Sequence, residues 1–221
     1  MKTTLSSIGY GIFAAALVTG SCLTAMADES ECDLVIGCHS LSPTRDMDWK
    51  GGGGLEIQSR FWNDEHIGFA LVGAFDTWDA VSVTSESEGI NSYSYTAISG
   101  DASVTSFGAA VLYRSGSSGD VRLIIDLGLR YAAVGSAVYA EAAYDGPGGP
   151  NYSYEKIEID NTMLFAAGAA LEFEMTKNVS LELGVKCLVD LNKPEETYLG
   201  ESLGDTDFGA VTFGIGLICR L

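Results

Sequence analysis

The chain contains two histidines, His39 and His66, and each could act as the base that activates a serine nucleophile. His39 is followed by Ser40 and Ser42, so it is the better candidate of the two. However, the sequence shows no carboxylate on a neighbouring strand that would orient its ring, and His66 lies beside a short polar turn. The sequence therefore predicts no catalytic residues and no enzyme.

Carboxylates and thiols are too dispersed to predict a metal or cofactor site. Two acidic pairs, Glu172 with Glu174 and Glu195 with Glu196, match no calcium-binding loop. The cysteines after residue 27 lack the Cys-x-x-Cys spacing typical of zinc sites; they are Cys32, Cys38, Cys187 and Cys219. We therefore predict no metal and no cofactor.

The N-terminal segment has the features of a secretory signal peptide. Lys2 precedes a short apolar run, IGYGIFAAALVTG, and the motif AMA at 25–27 fits the small residues of a cleavage site. We therefore predict a signal peptide over 1–27 and one domain over 28–221, the length of a single compact unit.

The charge of the chain excludes one class of partner. Thirty acidic residues against twelve basic ones give a net charge of −18 at pH 7, and no basic stripe is visible. Such a surface repels nucleic acid. After residue 27 no apolar run is long enough to form a membrane-spanning helix, so a chain that crosses a membrane must do so as strands.

Apolar and polar residues alternate with the period of a β-strand along most of the chain. The clearest example, DVRLIIDLGLRYA, puts six apolar residues on one face: Val121, Leu123, Ile125, Leu127, Leu129 and Tyr131. Similar patterns predict strands at 32–41, 51–62, 66–78, 98–114, 120–140, 157–175, 179–191 and 207–221. The run Gly51–Gly54 leads directly into the second of these strands, where we expect a bend rather than a phosphate-binding loop.

The connections between these strands alternate in length. Short turns are predicted at 63–65, 115–119 and 176–178, and long polar loops at 79–97, 144–156 and 191–206. This alternation predicts an all-β, closed, antiparallel, up-and-down barrel of eight strands, with the short turns at one end and the long loops at the other. The segment 32–41 is needed as the first strand, because a closed bacterial barrel has an even strand number.

The face opposite the apolar one is made of small residues and charges of both signs. Nine of these charges are predicted to form a paired network inside the barrel: Glu56, Arg60, Arg122, Asp126, Arg130, Glu172, Glu182, Lys186 and Arg220. A soluble, lipocalin-like periplasmic barrel that binds a small apolar ligand shows the same alternation with the faces reversed. The charged face favours the transmembrane arrangement.

On these features the chain resembles the small eight-stranded outer-membrane barrels of the OmpA type, from Cys32 to Leu221. The resemblance implies a location in the bacterial outer membrane, with the lipid bilayer, lipopolysaccharide and the outer-membrane assembly machinery as partners. It implies a structural or surface-interaction role with a filled lumen; a lipid-modifying outer-membrane enzyme is a further alternative. The chain departs from the family's usual aromatic C-terminus, because it ends in CRL.

Three further expectations concern individual side chains. Cys32 and Cys219 share the outward face of the first and last strands and could form a disulfide across the seam. Tyrosines in the long loops suggest contact with an unknown surface ligand. Six aromatic residues near strand ends are expected at the membrane interfaces: Trp49, Trp62, Trp78, Tyr113, Tyr131 and Tyr139.

Overall fold

The computed structural model describes residues 31–44, 49–89, 92–115, 121–136, 138–145 and 151–221. These residues form fifteen strands: β1 (Glu31–Pro43), β2 (Trp49–Trp62), β3 (Ile67–Ala80), β4 (Val83–Gly89), β5 (Ser92–Ser99), β6 (Asp101–Arg114), β7 (Val121–Ser136), β8 (Tyr139–Asp145), β9 (Asn151–Lys156), β10 (Glu158–Ile159), β11 (Thr162–Thr176), β12 (Val179–Asp190), β13 (Glu195–Tyr198), β14 (Glu201–Asp205) and β15 (Ala210–Arg220). The predicted signal peptide, 1–27, lies outside the described residues and stays a prediction. Within the described ranges no helix has the length and apolar character to cross a membrane.

Eight of these strands form a closed antiparallel barrel in the order β1-β15-β12-β11-β7-β6-β3-β2. Each barrel strand pairs with the barrel strands that precede and follow it, and β1 closes the ring on β15, from Asp33 opposite Arg220 to Pro43 opposite Ala210. The predicted eight-stranded up-and-down barrel is therefore confirmed, including its first strand.

The two faces of the barrel wall differ as the sequence pattern predicts. Outward side chains are apolar and largely exposed, as with Leu55 and Phe213, each 60% exposed. Charged side chains point inward, and Arg60 is only 2% exposed. An apolar outer wall is what a surrounding bilayer requires. The lipocalin-like alternative requires the reverse arrangement, so this fold does not support it.

The long loops contain more regular structure than the sequence indicates. Hairpins β4–β5 and β8–β9 combine into a four-stranded sheet in the order β4-β5-β8-β9, and β10, β13 and β14 form a three-stranded sheet. The predicted strand 157–175 is wrong at its start, because β11 begins at Thr162. Ile157 and Ile159, which the strand predicted over 157–175 would place on its apolar face, are instead buried in a core at the loop end of the barrel.

The glycine run lies within β2 and changes the strand's register, as expected of a bend. A bulge separates Trp49 from Gly51 in the pairing with β3, and Gly51 has a φ of 126°, which other residues rarely adopt. A Cβ on Gly52 would lie 1.8 Å from the Thr77 carbonyl oxygen. The chain therefore needs glycine here for close approach of two strands.

Gly108 offers a direct test of how tightly the wall is packed. A Cβ at this position would lie 1.9 Å from the Leu129 carbonyl oxygen and 2.7 Å from the Arg130 Cα. Because the paired backbone of β7 would have to shift to make room, we expect Gly108→Ala to lower the free energy of unfolding by about 1–3 kcal/mol, measured by urea titration in lipid vesicles. Gly216→Ala is the matched control, since its Cβ would meet nothing closer than 3.4 Å, at Val35. Equal stability of the two variants would contradict this packing.

The predicted Cys32–Cys219 disulfide concerns the seam between β1 and β15. Cys219 pairs with Leu34, and the Leu221 amide donates to the Cys32 carbonyl oxygen at 3.0 Å. The two cysteines are therefore diagonal neighbours, a spacing of about 7–8 Å that a disulfide spans only if the backbone shifts. The bond stays a prediction. A cross-linked peptide in a non-reduced digest would support it, and identical peptide masses with and without reductant would contradict it.

Candidate functional site

The candidate site is the interior of the barrel, where strands from every part of the chain contribute charged side chains. All nine residues of the predicted network lie on barrel strands, and each takes part in an ion pair: Glu56, Arg60, Arg122, Asp126, Arg130, Glu172, Glu182, Lys186 and Arg220. The pairs form three groups between the short-turn end and the loop end.

The group nearest the turn end joins two arginines to two glutamates. Arg220 donates to the Glu172 carboxylate and lies 3.5 Å from Glu174, while Arg122 lies 3.9 Å from Glu172 and 3.5 Å from Glu174. Arg220 also donates to the Ser180 hydroxyl at 3.1 Å. The acidic pair is therefore neutralised by cations from β7 and β15 and does not form an acid–base pair.

The second group is a bidentate pair between β2 and β12. Arg60 Nη1 and Nη2 donate to Glu182 Oε2 and Oε1 at 2.6 and 2.9 Å, and Arg60 Nε donates to the Gln58 side chain at 2.9 Å. Arg60 and Glu182 are both buried. Because β1 and β15 lie between β2 and β12 in the wall, this pair joins strands that share no backbone hydrogen bond. Parallel double contacts of this kind are the strong form of ion pair.

The third group places one glutamate between two cations. Glu56 Oε2 lies 2.8 Å from Arg130, and Glu56 Oε1 accepts hydrogen bonds from Lys186 and Gln58. Lys186 also lies 3.2 Å from Asp126. These contacts connect β2, β7 and β12.

A cavity of about 50 Å³ remains beside them, with Gly37, Gly184, Gly214 and Gly216 among its lining residues. This volume has room for only a few water molecules.

His39 has the orienting carboxylate that the sequence did not reveal. Its Nε2 lies 2.8 Å from Oδ1 of Asp76; the Asp76 side chain is buried and that of His39 is half-buried. Gly54 makes the pair possible, because a Cβ there would lie 1.9 Å from the same oxygen. Ser40 points to the opposite face and donates to the Phe213 carbonyl at 3.4 Å. The geometry therefore gives a histidine–aspartate pair without the adjacent serine considered from the sequence.

A second set of interior contacts near the turn end was also missed. Trp62 donates to Asp33 at 2.7 Å, and the Arg114 guanidinium lies 4.1 Å from the centre of the Trp62 ring. Arg114 further contacts Glu31 at 3.3 Å. Asp33 and Arg114 have the inward parity of their strands, so the sequence alternation contains the signal that could have found them.

An aromatic plug, which we define as Trp49, Trp78 and Phe208, occupies the loop end of the interior. Phe208 stacks on Trp49 with ring centres 5.1 Å apart, and Trp78 meets Phe208 edge-on at 5.5 Å. All three side chains are at most 3% exposed. With Trp62 also buried, the expectation that the three tryptophans sit at the membrane interfaces is wrong. Tyr113 and Tyr131 are exposed on the outer wall.

The tryptophans allow a spectroscopic test of this placement. The chain contains three tryptophans, all of them buried inside the barrel. We expect brominated lipids, which quench only fluorophores that they contact, to leave most of the tryptophan fluorescence of the vesicle-inserted protein unchanged. Strong quenching would instead indicate the interfacial placement predicted from the sequence. Free tryptophan octyl ester in the same vesicles is the positive control.

No metal site accompanies this network: among the described residues, no group of three or more His, Cys, Asp or Glu is placed to hold a metal ion. What the interior can do chemically is pair charges, since each of the nine network residues takes part in an ion pair.

Comparisons with known proteins agree with this architecture at the level of fold. No protein-family model and no curated protein sequence matches the chain. Among solved structures, the outer membrane protein OprG from Pseudomonas aeruginosa aligns with a TM-score of 0.55 at 10% identity, covering 87% of this chain and 96% of that one.

Two further solved structures align less closely. A major outer membrane protein from Thermus thermophilus gives a TM-score of 0.49 at 12% identity, covering 86% of this chain and 99% of that one. Neisserial surface protein A gives 0.46 at 13% identity, covering 87% and 97%. With its closed ring of eight antiparallel strands, the chain has the fold of the small outer-membrane β-barrels.

Proposed function

We propose that this protein is an outer-membrane barrel whose lumen is closed to solutes and whose loop end serves a structural or surface-interaction role. Its partners would be the lipid bilayer and lipopolysaccharide around the wall, and the assembly machinery that inserts it. The apolar outer wall supports the bilayer, and the fold it shares with OprG supports the outer membrane as its location.

The main observation that supports a closed lumen is the Arg60–Glu182 ion pair. Its two hydrogen bonds join strands on different sides of the interior, and the Glu56 group adds a second crossing toward β7. An eight-stranded barrel is only wide enough to be filled by side chains. The aromatic plug further narrows the loop end. A solute would have to separate paired, buried charges and displace packed rings in order to pass.

Conductance in planar bilayers tests this proposal. We expect the purified, refolded protein to give no stable stepwise openings at neutral pH, in a bilayer where a general porin gives openings under the same voltage and salt. Heat-modifiable gel mobility of the same sample shows that the barrel is folded. Stable openings from a fully heat-modifiable sample would contradict a closed lumen.

Fractionation of the expressing bacterium tests the location separately. Recovery with the outer-membrane fraction on a sucrose gradient, with a mature N-terminus at Asp28, is the expected result. Recovery in the washed soluble fraction without detergent would contradict the membrane assignment and favour the soluble barrel instead.

A further inference from the structure

We call the four-stranded sheet β4-β5-β8-β9 the loop-end sheet. One of its faces carries a set of tyrosines and acids that lie outside the charge network of the barrel. We define the tyrosine–acid face by five residues on β8 and β9, namely Tyr139, Glu141, Asp145, Tyr152 and Tyr154. They share a face because Glu141 pairs with Tyr154 in the register, and side chains alternate along each strand. Lys156, which lies opposite Tyr139, is on the same face at its Tyr139 end, away from Asp145. In the same sheet β5 pairs with β8, from Tyr93 opposite Asp145 to Ser99 opposite Tyr139.

Two rings on this face stack on each other, and the Tyr152 and Tyr154 rings are open to solvent. Tyr139 and Tyr154 stack with ring centres 5.0 Å apart and planes 6° from parallel. The Tyr152 hydroxyl donates to Glu141 Oε1 at 3.3 Å. Even so, Tyr152 is 62% and Tyr154 is 53% exposed. The face therefore presents flat aromatic surface next to a carboxylate.

Part of the opposite face of the sheet is covered by the rest of the protein. Ala140 is buried in the loop-end core, Ile98 packs against that core, and the Ser153 hydroxyl lies 3.2 Å from the Tyr198 hydroxyl. The sheet therefore rests on the barrel with one side and leaves the tyrosine–acid face without a partner among the described residues.

We propose that the tyrosine–acid face binds an arginine-rich segment of a polypeptide. Cations bind over aromatic rings, and guanidinium groups also stack flat on them and pair with carboxylates. Glu141 and Asp145 supply the carboxylates, and the net charge of −18 attracts cationic segments while it repels anionic ones. The role rests on the proposed function, since it requires the loop end to lie at the cell surface.

Binding of a fluorescent oligo-arginine peptide to the full chain in nanodiscs tests the proposal, with fluorescence anisotropy as the measurement. We expect saturable binding that is tighter for oligo-arginine than for oligo-lysine of equal length. Replacing Tyr152 and Tyr154 together with serine should weaken binding by about tenfold. Glu141→Gln should weaken it and also reduce its dependence on salt concentration.

Tyr144→Ser is the matched control, because Tyr144 is an exposed tyrosine of the same hairpin on the opposite face, and it should bind as the parent does. Heat-modifiable mobility is checked for every variant, so that loss of binding is not misread as loss of fold. Equal affinity of the double serine variant and the parent would overturn the proposal. So would equal affinity for oligo-lysine, or displacement of the peptide by a neutral oligosaccharide. Peptide binding in nanodiscs does not depend on conductance or on export. Absence of binding would therefore contradict this proposal without contradicting the closed lumen.

Discussion

Replacing Arg60 with methionine should lower the free energy of unfolding by about 3–5 kcal/mol, because it leaves the buried Glu182 carboxylate without its cation. Arg60 donates both terminal nitrogens to Glu182 and its Nε to Gln58, so one substitution removes three hydrogen bonds. Urea titration of the vesicle-inserted protein, followed by tryptophan fluorescence, measures the change.

Two variants show whether burial of the charge is the cause. Arg122→Met is the matched control, since Arg122 is 20% exposed in its side chain and its contacts with Glu172 and Glu174 are longer, at 3.9 and 3.5 Å; we expect a loss of at most about 1 kcal/mol. The double variant Arg60→Met, Glu182→Leu should recover much of the stability lost by Arg60→Met alone. If all three variants unfold at the same urea concentration, the Arg60 pair does not stabilise the barrel.

Truncating Trp78 to alanine should lower the free energy of unfolding by about 3–5 kcal/mol, the usual cost of deleting a buried tryptophan. Trp78 is 1% exposed and contacts both other rings of the aromatic plug. Trp78→Phe keeps most of the ring volume and should cost less than about 1.5 kcal/mol. Because both substitutions remove one fluorophore, heat-modifiable gel mobility across a temperature series serves as the measurement. Equal transition temperatures for the two variants would contradict a packed plug.

The barrel itself could be predicted from the sequence because period-two alternation is a local signal. The segment from Val121 to Tyr131 alternates at every position except Ile124, an apolar residue on the inward face, and the structure keeps that register in β7. The strand order followed from the alternation of short and long connections. The first strand follows from the even strand number of a closed bacterial barrel.

The partners of the interior charges could not be predicted in the same way. Arg60 and Glu182 are 122 positions apart, and their meeting depends on how far the strands are staggered around the barrel. Alternation gives the face of a residue but not its height in the lumen. Because the height of Asp76 in the lumen is not given by alternation, the sequence does not identify Asp76 as the partner of His39.

For the tryptophans, the alternation of side chains along a strand and the usual preference of tryptophan for membrane interfaces give different predictions. Trp62 and Trp78 have the same parity as Arg60 and Asp76, so alternation already indicated the interior, whereas their position near strand ends suggested the interface. Trp49 has the opposite parity, and the bulge before Gly51 turns it inward beside Ala80. A bulge cannot be located from alternation alone.

The loop-end sheet could not be predicted from the sequence, because its strands come from separate loops. β5 belongs to the connection between β3 and β6, and β8 to the connection between β7 and β11, yet seven residue pairs join them, from Tyr93 opposite Asp145 to Ser99 opposite Tyr139. Neither segment has an apolar face long enough to predict a strand without the other.

That shared sheet restricts how the exposed surface can evolve. An insertion or deletion of one residue within β5 or β8 would exchange the two faces of that strand relative to its neighbour. Loops that do not pair with each other can change in length one at a time, but a change in either of these two strands must be matched in the other. We expect length differences among related proteins to be concentrated in the connections at 90–91 and 146–150, and to be absent from the paired segments.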